Sequence, residues 1–185
     1  RIMADLSDEF PGPELSSVWQ KDLHEGNAGA WVYDGKLCVQ GANFGYALVR
    51  RELNQDNVSV QCLVLKQGGG DDAARGSLFM YWPNGEYAQA TPDTGNGRFG
   101  YSVSGKRMSG SAINRVSPFG WYPYTANWVK IALTAEKLEF YGSADGKTWV
   151  KDAEVARDAR FSGAPGFLML GTGRAGSIPL LHNIV

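Results

Sequence analysis

A chain of 185 residues, 43% hydrophobic and 20% charged, has enough apolar material to build a full core without cross-links. A net charge of −1, from 18 basic and 19 acidic residues with no basic stripe, excludes an electrostatic reader of nucleic acid. No apolar run approaches the roughly 18 residues of a membrane-spanning helix, and the opening Arg-Ile-Met-Ala-Asp-Leu lacks the charged-then-apolar pattern of a secretion signal, which is expected to have been removed or never present.

In chain order, period-two alternation and turn residues place candidate strands near residues 4–10, 31–40, 46–53, 58–65, 77–82, 86–91, 99–104, 128–133, 138–141, 149–151, 166–170 and 178–185. The clearest stretch runs from Asn127 to Trp149. Val129, Ile131 and Leu133 alternate with Trp128, Lys130 and Ala132, and Leu138 and Phe140 alternate with Lys137, Glu139 and Tyr141. One face of each strand is therefore apolar and the other polar or aromatic. Asp34-Gly35, Asn84-Gly85, Gly95-Asn96-Gly97 and Asp145-Gly146 supply turns between strands. Residues 152–160 (Asp-Ala-Glu-Val-Ala-Arg-Asp-Ala-Arg) form the one stretch that reads as helix. The expectation is an all-β chain: a two-sheet antiparallel β-sandwich, or jelly roll, of about a dozen short strands with at most one short helix. One domain is expected to span residues 1–185.

Several motifs resemble chemistry without its context. Gly95-x-Gly97-x-x-Gly100 and Gly171-x-Gly173-x-x-Gly176 match a dinucleotide fingerprint in letters, but neither opens a helix. Residues 142–148 fall one residue short of a phosphate-binding loop and read as a hairpin turn. His24 and His182 are the only histidines, which excludes a His-rich metal site, and no nucleophile-elbow sequence is present. Strand parity turns Cys38 outward and Cys62 inward, so the two thiols point to opposite faces and do not bridge. No cofactor is expected. Asp8, Asp145 and Asp71-Asp72 offer oxygens for a structural calcium, but none has the spacing of a calcium loop.

Four segments, in order, resemble the concanavalin A-like lectin/glucanase superfamily. They are Asp8-Glu9-Phe10 with Leu15 and Trp19; Trp31-Val-Tyr-Asp34-Gly35-Lys-Leu37; Asn127-Trp128-Val-Lys-Ile; and Tyr141-x-Ser143-x-Asp145-Gly146-x-x-Trp149. The resemblance covers nearly the whole chain and is nearest to bacterial jelly-roll, laminin G-like sandwich domains. It implies two stacked sheets, one of them concave, and carbohydrate as the ligand. It also implies that Trp19, Trp31, Trp128 and Trp149 pack the scaffold. The Glu-x-Asp-x-x-Glu strand of a glucanase sandwich is absent.

Sugars offer C–H patches and hydroxyl rims, which aromatic rings and planar polar groups match. Tyr81, Tyr87, Gln89, Arg98 and Tyr101 lie on three successive strands and share a face if those strands pair. Glu86 is the acidic residue among these aromatics. Residues 118–124 add Trp121, Tyr122 and Tyr124 in a rigid loop, either a platform over the sheet or a lid plugging one end of the sandwich. These nine residues form the expected ligand site of a non-catalytic, secreted or periplasmic polysaccharide-binding sandwich, with room for other domains of a larger chain. One alternative is a glycoside hydrolase or lyase with Glu86 as acid/base. Another is a structural or protein-interaction domain that meets its partner through the aromatic loop.

Overall fold

The computed structural model describes residues 6–23, 28–40, 47–66, 76–92, 97–113, 125–172 and 179–184. They form fourteen strands: β1 (Gln20–Leu23), β2 (Gly29–Tyr33), β3 (Lys36–Gln40), β4 (Ala47–Glu52), β5 (Val58–Lys66), β6 (Ser77–Tyr81), β7 (Tyr87–Thr91), β8 (Arg98–Val103), β9 (Lys106–Ala112), β10 (Thr125–Leu133), β11 (Lys137–Ser143), β12 (Val150–Ala156), β13 (Phe167–Thr172) and β14 (Pro179–Ile184). Two seven-stranded sheets result. The first has the order β1-β4-β13-β6-β7-β8-β9, the second β12-β11-β10-β5-β14-β3-β2. Every pairing is antiparallel. Contacts between β9 and β12, β7 and β10, β13 and β14, and β1 and β2 stack the sheets edge over edge. Among the described residues no helix is long and apolar enough to cross a membrane.

The local turns follow from the sequence. Asp34 and Gly35 both take positive φ, 51° and 66°, and close a two-residue hairpin between Tyr33 and its partner Lys36. Those signs match a primed turn, whose twist agrees with that of the strands. Ser104-Gly105 makes the same kind of connection between β8 and β9, with φ of 45° and 92°. Both β1 and β9 escape the sequence reading because they are short, polar edge strands, the composition that discourages edge-to-edge association.

Two expectations are corrected. Residues 152–156 are not helical: they belong to β12 and pair with β11, Phe140 opposite Ala153 and Leu138 opposite Val155. Tertiary pairing overrides the weak helix preference of Asp-Ala-Glu-Val-Ala. The one helical element among the described residues is a 3-10 turn at Ala159–Phe161. Residues 6–10 form no strand, only an isolated bridge at Asp8.

The core lies between the sheets. Ala47, Val49, Leu78, Met80, Ala88, Ala90, Phe99, Tyr101, Val103, Leu168 and Leu170 of the first sheet face Leu37, Val39, Val60, Cys62, Val64, Val129, Ile131, Leu133, Leu138 and Phe140 of the second. Each fully buried aliphatic side chain contributes about 1.5–3 kcal/mol. Small residues make room for rings: a Cβ on Gly142 would stand 2.7 Å from Phe99, and the Tyr101 and Phe140 rings meet at 5.3 Å. One end is closed by Trp82, which packs edge-on against Phe161 at 5.0 Å and donates to Gly163 O at 3.1 Å. Arg157 donates there to Phe161 O, Thr134 O, Gly163 O and Asp56. Cys38 and Cys62 are both buried and not joined in a disulfide, Cys62 within the core and Cys38 one residue out of phase with core Leu37 and Val39.

Candidate ligand-binding site

Antiparallel register puts directly paired residues on the same face. The first sheet's outer face therefore reads as rows. One row runs Gln20–Arg50–Met169–Phe79–Gln89–Ser102–Arg107, across all seven strands. The next runs Glu52–Phe167–Tyr81–Tyr87. Phe79, Tyr81, Tyr87 and Phe167 thus form one half-buried aromatic cluster, with Phe79 and Tyr87 edge-on at 6.4 Å. Gln89 is held beside it by donating to Ser77 Oγ at 2.9 Å.

At the β1 end the cluster opens into a groove of about 550 Å³, lined by Ser17, Gln20, Arg50, Arg51, Glu52 and Phe167 among others. The Arg50 guanidinium lies over the Phe167 ring at 4.9 Å. Its buried Nε has no hydrogen-bond partner. Arg51 turns the other way, stacking on Trp19 at 5.4 Å and donating to Leu6 O at 3.2 Å.

The second sheet's outer face is also aromatic, but its polar groups satisfy one another. Lys130 Nζ sits between the Tyr141 and Trp149 rings, at 4.5 and 4.2 Å, where burial lowers its pKa. The Tyr141 hydroxyl donates to Glu139 at 2.6 Å and Lys151 bridges Glu139 and Glu154. The Tyr141 bond, followed by that of Lys151, holds Glu139 below the usual carboxylate range. Trp31, expected to pack the scaffold, is instead 38% exposed on the edge strand β2. Trp19 does pack: it is buried and donates through Nε1 to Asp8 Oδ2 at 2.7 Å.

The expected site residues divide. Tyr81, Tyr87 and Gln89 share the outer face of the first sheet. Glu86 sits in the β6–β7 turn, where its carbonyl accepts from Trp82 N, one residue out of phase with Tyr87. Arg98 is exposed and donates to Gly110 O at 3.1 Å; it lies about 13 Å along β8 from Ser102, the partner of Gln89. Tyr101 points inward, 2% exposed, and is a core residue whose hydroxyl donates to Asp152. It is corrected from the site because β8 sets its phase with Phe99 and Val103, not with Ser102. Trp121, Tyr122 and Tyr124 lie outside the described residues, as do His24, Asp71 and Asp72. Phe79, Phe167, Arg50 and Gln20 escaped the sequence reading. Phe79 was findable, two residues before Tyr81 on one strand; the other three join only through β1–β4–β13–β6 pairing.

Among the described residues, the carboxylates on the outer face of the first sheet stand far apart. Glu52 and Glu86 are separated by roughly three strand spacings, about 14 Å at the backbone, with Phe167 and Tyr81 between them. Asp22 stands opposite Leu48, four residues along β4 from Glu52 and again about 14 Å away. Among the described residues no group of three or more His, Cys, Asp or Glu could hold a metal ion. Asp8 accepts from Phe10 N and Trp19 Nε1, and Asp145 from Ser143 Oγ, Lys147 N and Thr148 N, so their oxygens serve the turns they sit in.

No family model matches the chain, and no curated protein matches it in sequence. Solved structures do match in fold. The GH43 protein BlXynB of Bacillus licheniformis aligns over 100% of this chain at TM-score 0.68 and 12% identity, and this chain spans 40% of its length. The catalytic domain of an endo-1,3-beta-glucanase (laminarinase) from Thermotoga petrophila aligns over 98% of this chain and 96% of its own, at TM-score 0.68 and 12% identity. A glycosyl hydrolase family 16 protein from Mycobacterium smegmatis aligns over 97% of both chains at TM-score 0.63 and 15% identity. The chain therefore has the two-sheet jelly-roll sandwich fold that its concanavalin A-like motifs led us to expect.

Proposed function

We propose that this chain is a carbohydrate-binding β-sandwich that holds a polysaccharide on the outer face of its first sheet without cleaving it. The observation behind this reading is the aromatic cluster of Phe79, Tyr81, Tyr87 and Phe167, flanked by Gln89 and Arg50 and continuous with an open groove. Rings of this kind stack on the C–H face of a sugar, while amide and guanidinium groups meet its hydroxyls. The similarity in fold to glycoside hydrolases supports carbohydrate as the ligand class. A secreted or periplasmic location, where such polymers are met, belongs to the same reading. Affinity electrophoresis through gels containing plant, algal and microbial polysaccharides tests it. Retention by at least one polymer, weakened about fivefold in Tyr87→Ala, is expected, since stacking on one ring is worth on the order of 1 kcal/mol. No retention on any polymer overturns it.

A second reading, a glycoside hydrolase, is favoured by the near full-length alignment with a laminarinase catalytic domain. Against it stands the separation of Glu52 from Glu86, since hydrolysis uses carboxyl groups about 5–9.5 Å apart. Release of reducing ends from a β-glucan, lost in Glu86→Gln, would establish it.

A further inference from the structure

We infer that the groove at the β1 end reads an acidic sugar, so that the polysaccharide bound on this face is anionic, carrying uronate carboxylates or sulfate esters. The inference rests on the carbohydrate reading above and deepens it. Its basis is Arg50. This residue stands in the middle of β4, in the row between Gln20 and Met169, and lines the groove. An arginine kept for the fold is normally hydrogen-bonded, as Arg157 is four times over. Arg50 has no hydrogen bond among the described residues, and its Nε is buried with none. The Phe167 ring lies beneath the guanidinium, its centroid 4.9 Å from Cζ, and leaves the terminal amino groups directed to the groove rather than to a fold partner among the described residues. The buried, unpaired Nε shows that Arg50 is not held by the fold's own acceptors, and its terminal amino groups are the part of the guanidinium that an incoming acceptor meets. The two terminal amino groups of a planar guanidinium match a carboxylate or sulfate oxygen pair.

The neighbourhood favours the same charge. Among the described residues that line the groove Glu52 is the one carboxylate, and it is exposed with its Oε2 accepting from Asn54 at the far end of β4, while Arg51 lends its charge from the opposite face, where its guanidinium meets Trp19 and Leu6 O. Gln20, opposite Arg50, adds an amide for the sugar hydroxyls. The chain as a whole has a net charge of −1, so bulk electrostatics does not draw it to a polyanion. Retention by an acidic polymer must then come from a local site. The Phe167 ring belongs to both groove and cluster, so a chain stacked on Tyr81 and Tyr87 extends naturally towards Arg50.

The experiment compares the whole chain with Arg50→Met, Arg50→Lys and the remote control Lys147→Met. Affinity electrophoresis is run in polygalacturonate, in a sulfated galactan and in a neutral β-glucan, at low and moderate salt, with melting curves for every variant. Retention by one of the two acidic polymers at least tenfold stronger than by the neutral one is expected. Arg50→Met should lose that excess and Lys147→Met keep it. Arg50→Lys, with charge but no fork, should fall between them and serves if Arg50→Met does not fold. Preference between the uronate and sulfate arms identifies the anion. Equal retention by neutral and acidic polymers, or acidic retention unchanged in both Arg50 variants, overturns this inference while leaving carbohydrate binding in place. Absence of retention on all three polymers and on the wider panel overturns both.

Discussion

The Tyr101 hydroxyl donates to Asp152 Oδ2 at 2.5 Å, tying β8 of the first sheet to β12 of the second. Ser111 adds its N–H and its hydroxyl, at 3.1 and 3.2 Å. Three donors from one sheet thus meet a carboxylate of the other where the sandwich would otherwise open to water. Gly110 has no side chain because a Cβ there would strike both Asp152 and the Tyr101 ring, and a bulge between β8 and β9 sits at this point.

Tyr101→Phe should therefore destabilise the fold by about 1–3 kcal/mol in urea unfolding while leaving glycan retention unchanged. Burial first, then the bond to Asp152 and its charge, push the phenol far above its ordinary value. The neutral phenol is the form the fold prefers. Its stabilising effect is complete below the ordinary tyrosine pKa, about 10, and fades only above it. Ultraviolet titration should show a late tyrosine phase that coincides with alkaline unfolding and is missing from the variant.

Gly142 lies on β11 beneath the Phe99 ring, 2.7 Å from where a Cβ would stand. Gly142→Ala should cost about 1–3 kcal/mol through overpacking, and combination with Phe99→Leu should recover part of that loss. Thermal unfolding of the single and double variants checks it.

Asp145 accepts from Thr148 N, Lys147 N and Ser143 Oγ, and these bonds, led by the backbone of Thr148, bring its pKa down to about 2. A depressed carboxyl stabilises the fold above its unfolded value of 3.8 and loses that effect as pH falls towards 2. Between those limits the melting temperature should fall with acidification, and Asp145→Ala should flatten the slope. An unchanged slope in the variant would reject the assignment.

Both cysteines are buried thiols outside any disulfide, and burial pushes Cys62 up to about 12. Neither should react with a thiol reagent at neutral pH until denaturant is added, when both should. Fast labelling of the native protein would contradict this packing.

The grouping of Tyr81, Tyr87 and Gln89 was legible because it is local. Asn84-Gly85 folds β6 onto β7, and alternation along those strands puts Tyr81, Tyr87 and Gln89 on one side. Tyr101 was misplaced because phase cannot be read across Gly100, which has no side chain to mark a face, nor across the bulge at the start of β8. Residues 152–156 were misread because an edge strand that borrows its hydrogen bonds from β11 needs little strand preference of its own. Arg50 and Phe167 were not paired because β4 and β13 lie more than a hundred residues apart in the chain.

By itself the sequence determined the period-two strands, their tight turns and hence the layered β architecture, because alternation and turn preference arise from covalent geometry within a few residues. The tertiary structure alone decided the lateral strand order, the register that aligns Arg50 with Gln20 and Met169, and the side on which each ring stands. Those choices depend on burying two whole sheet faces against each other at once. No short stretch of chain contains that information.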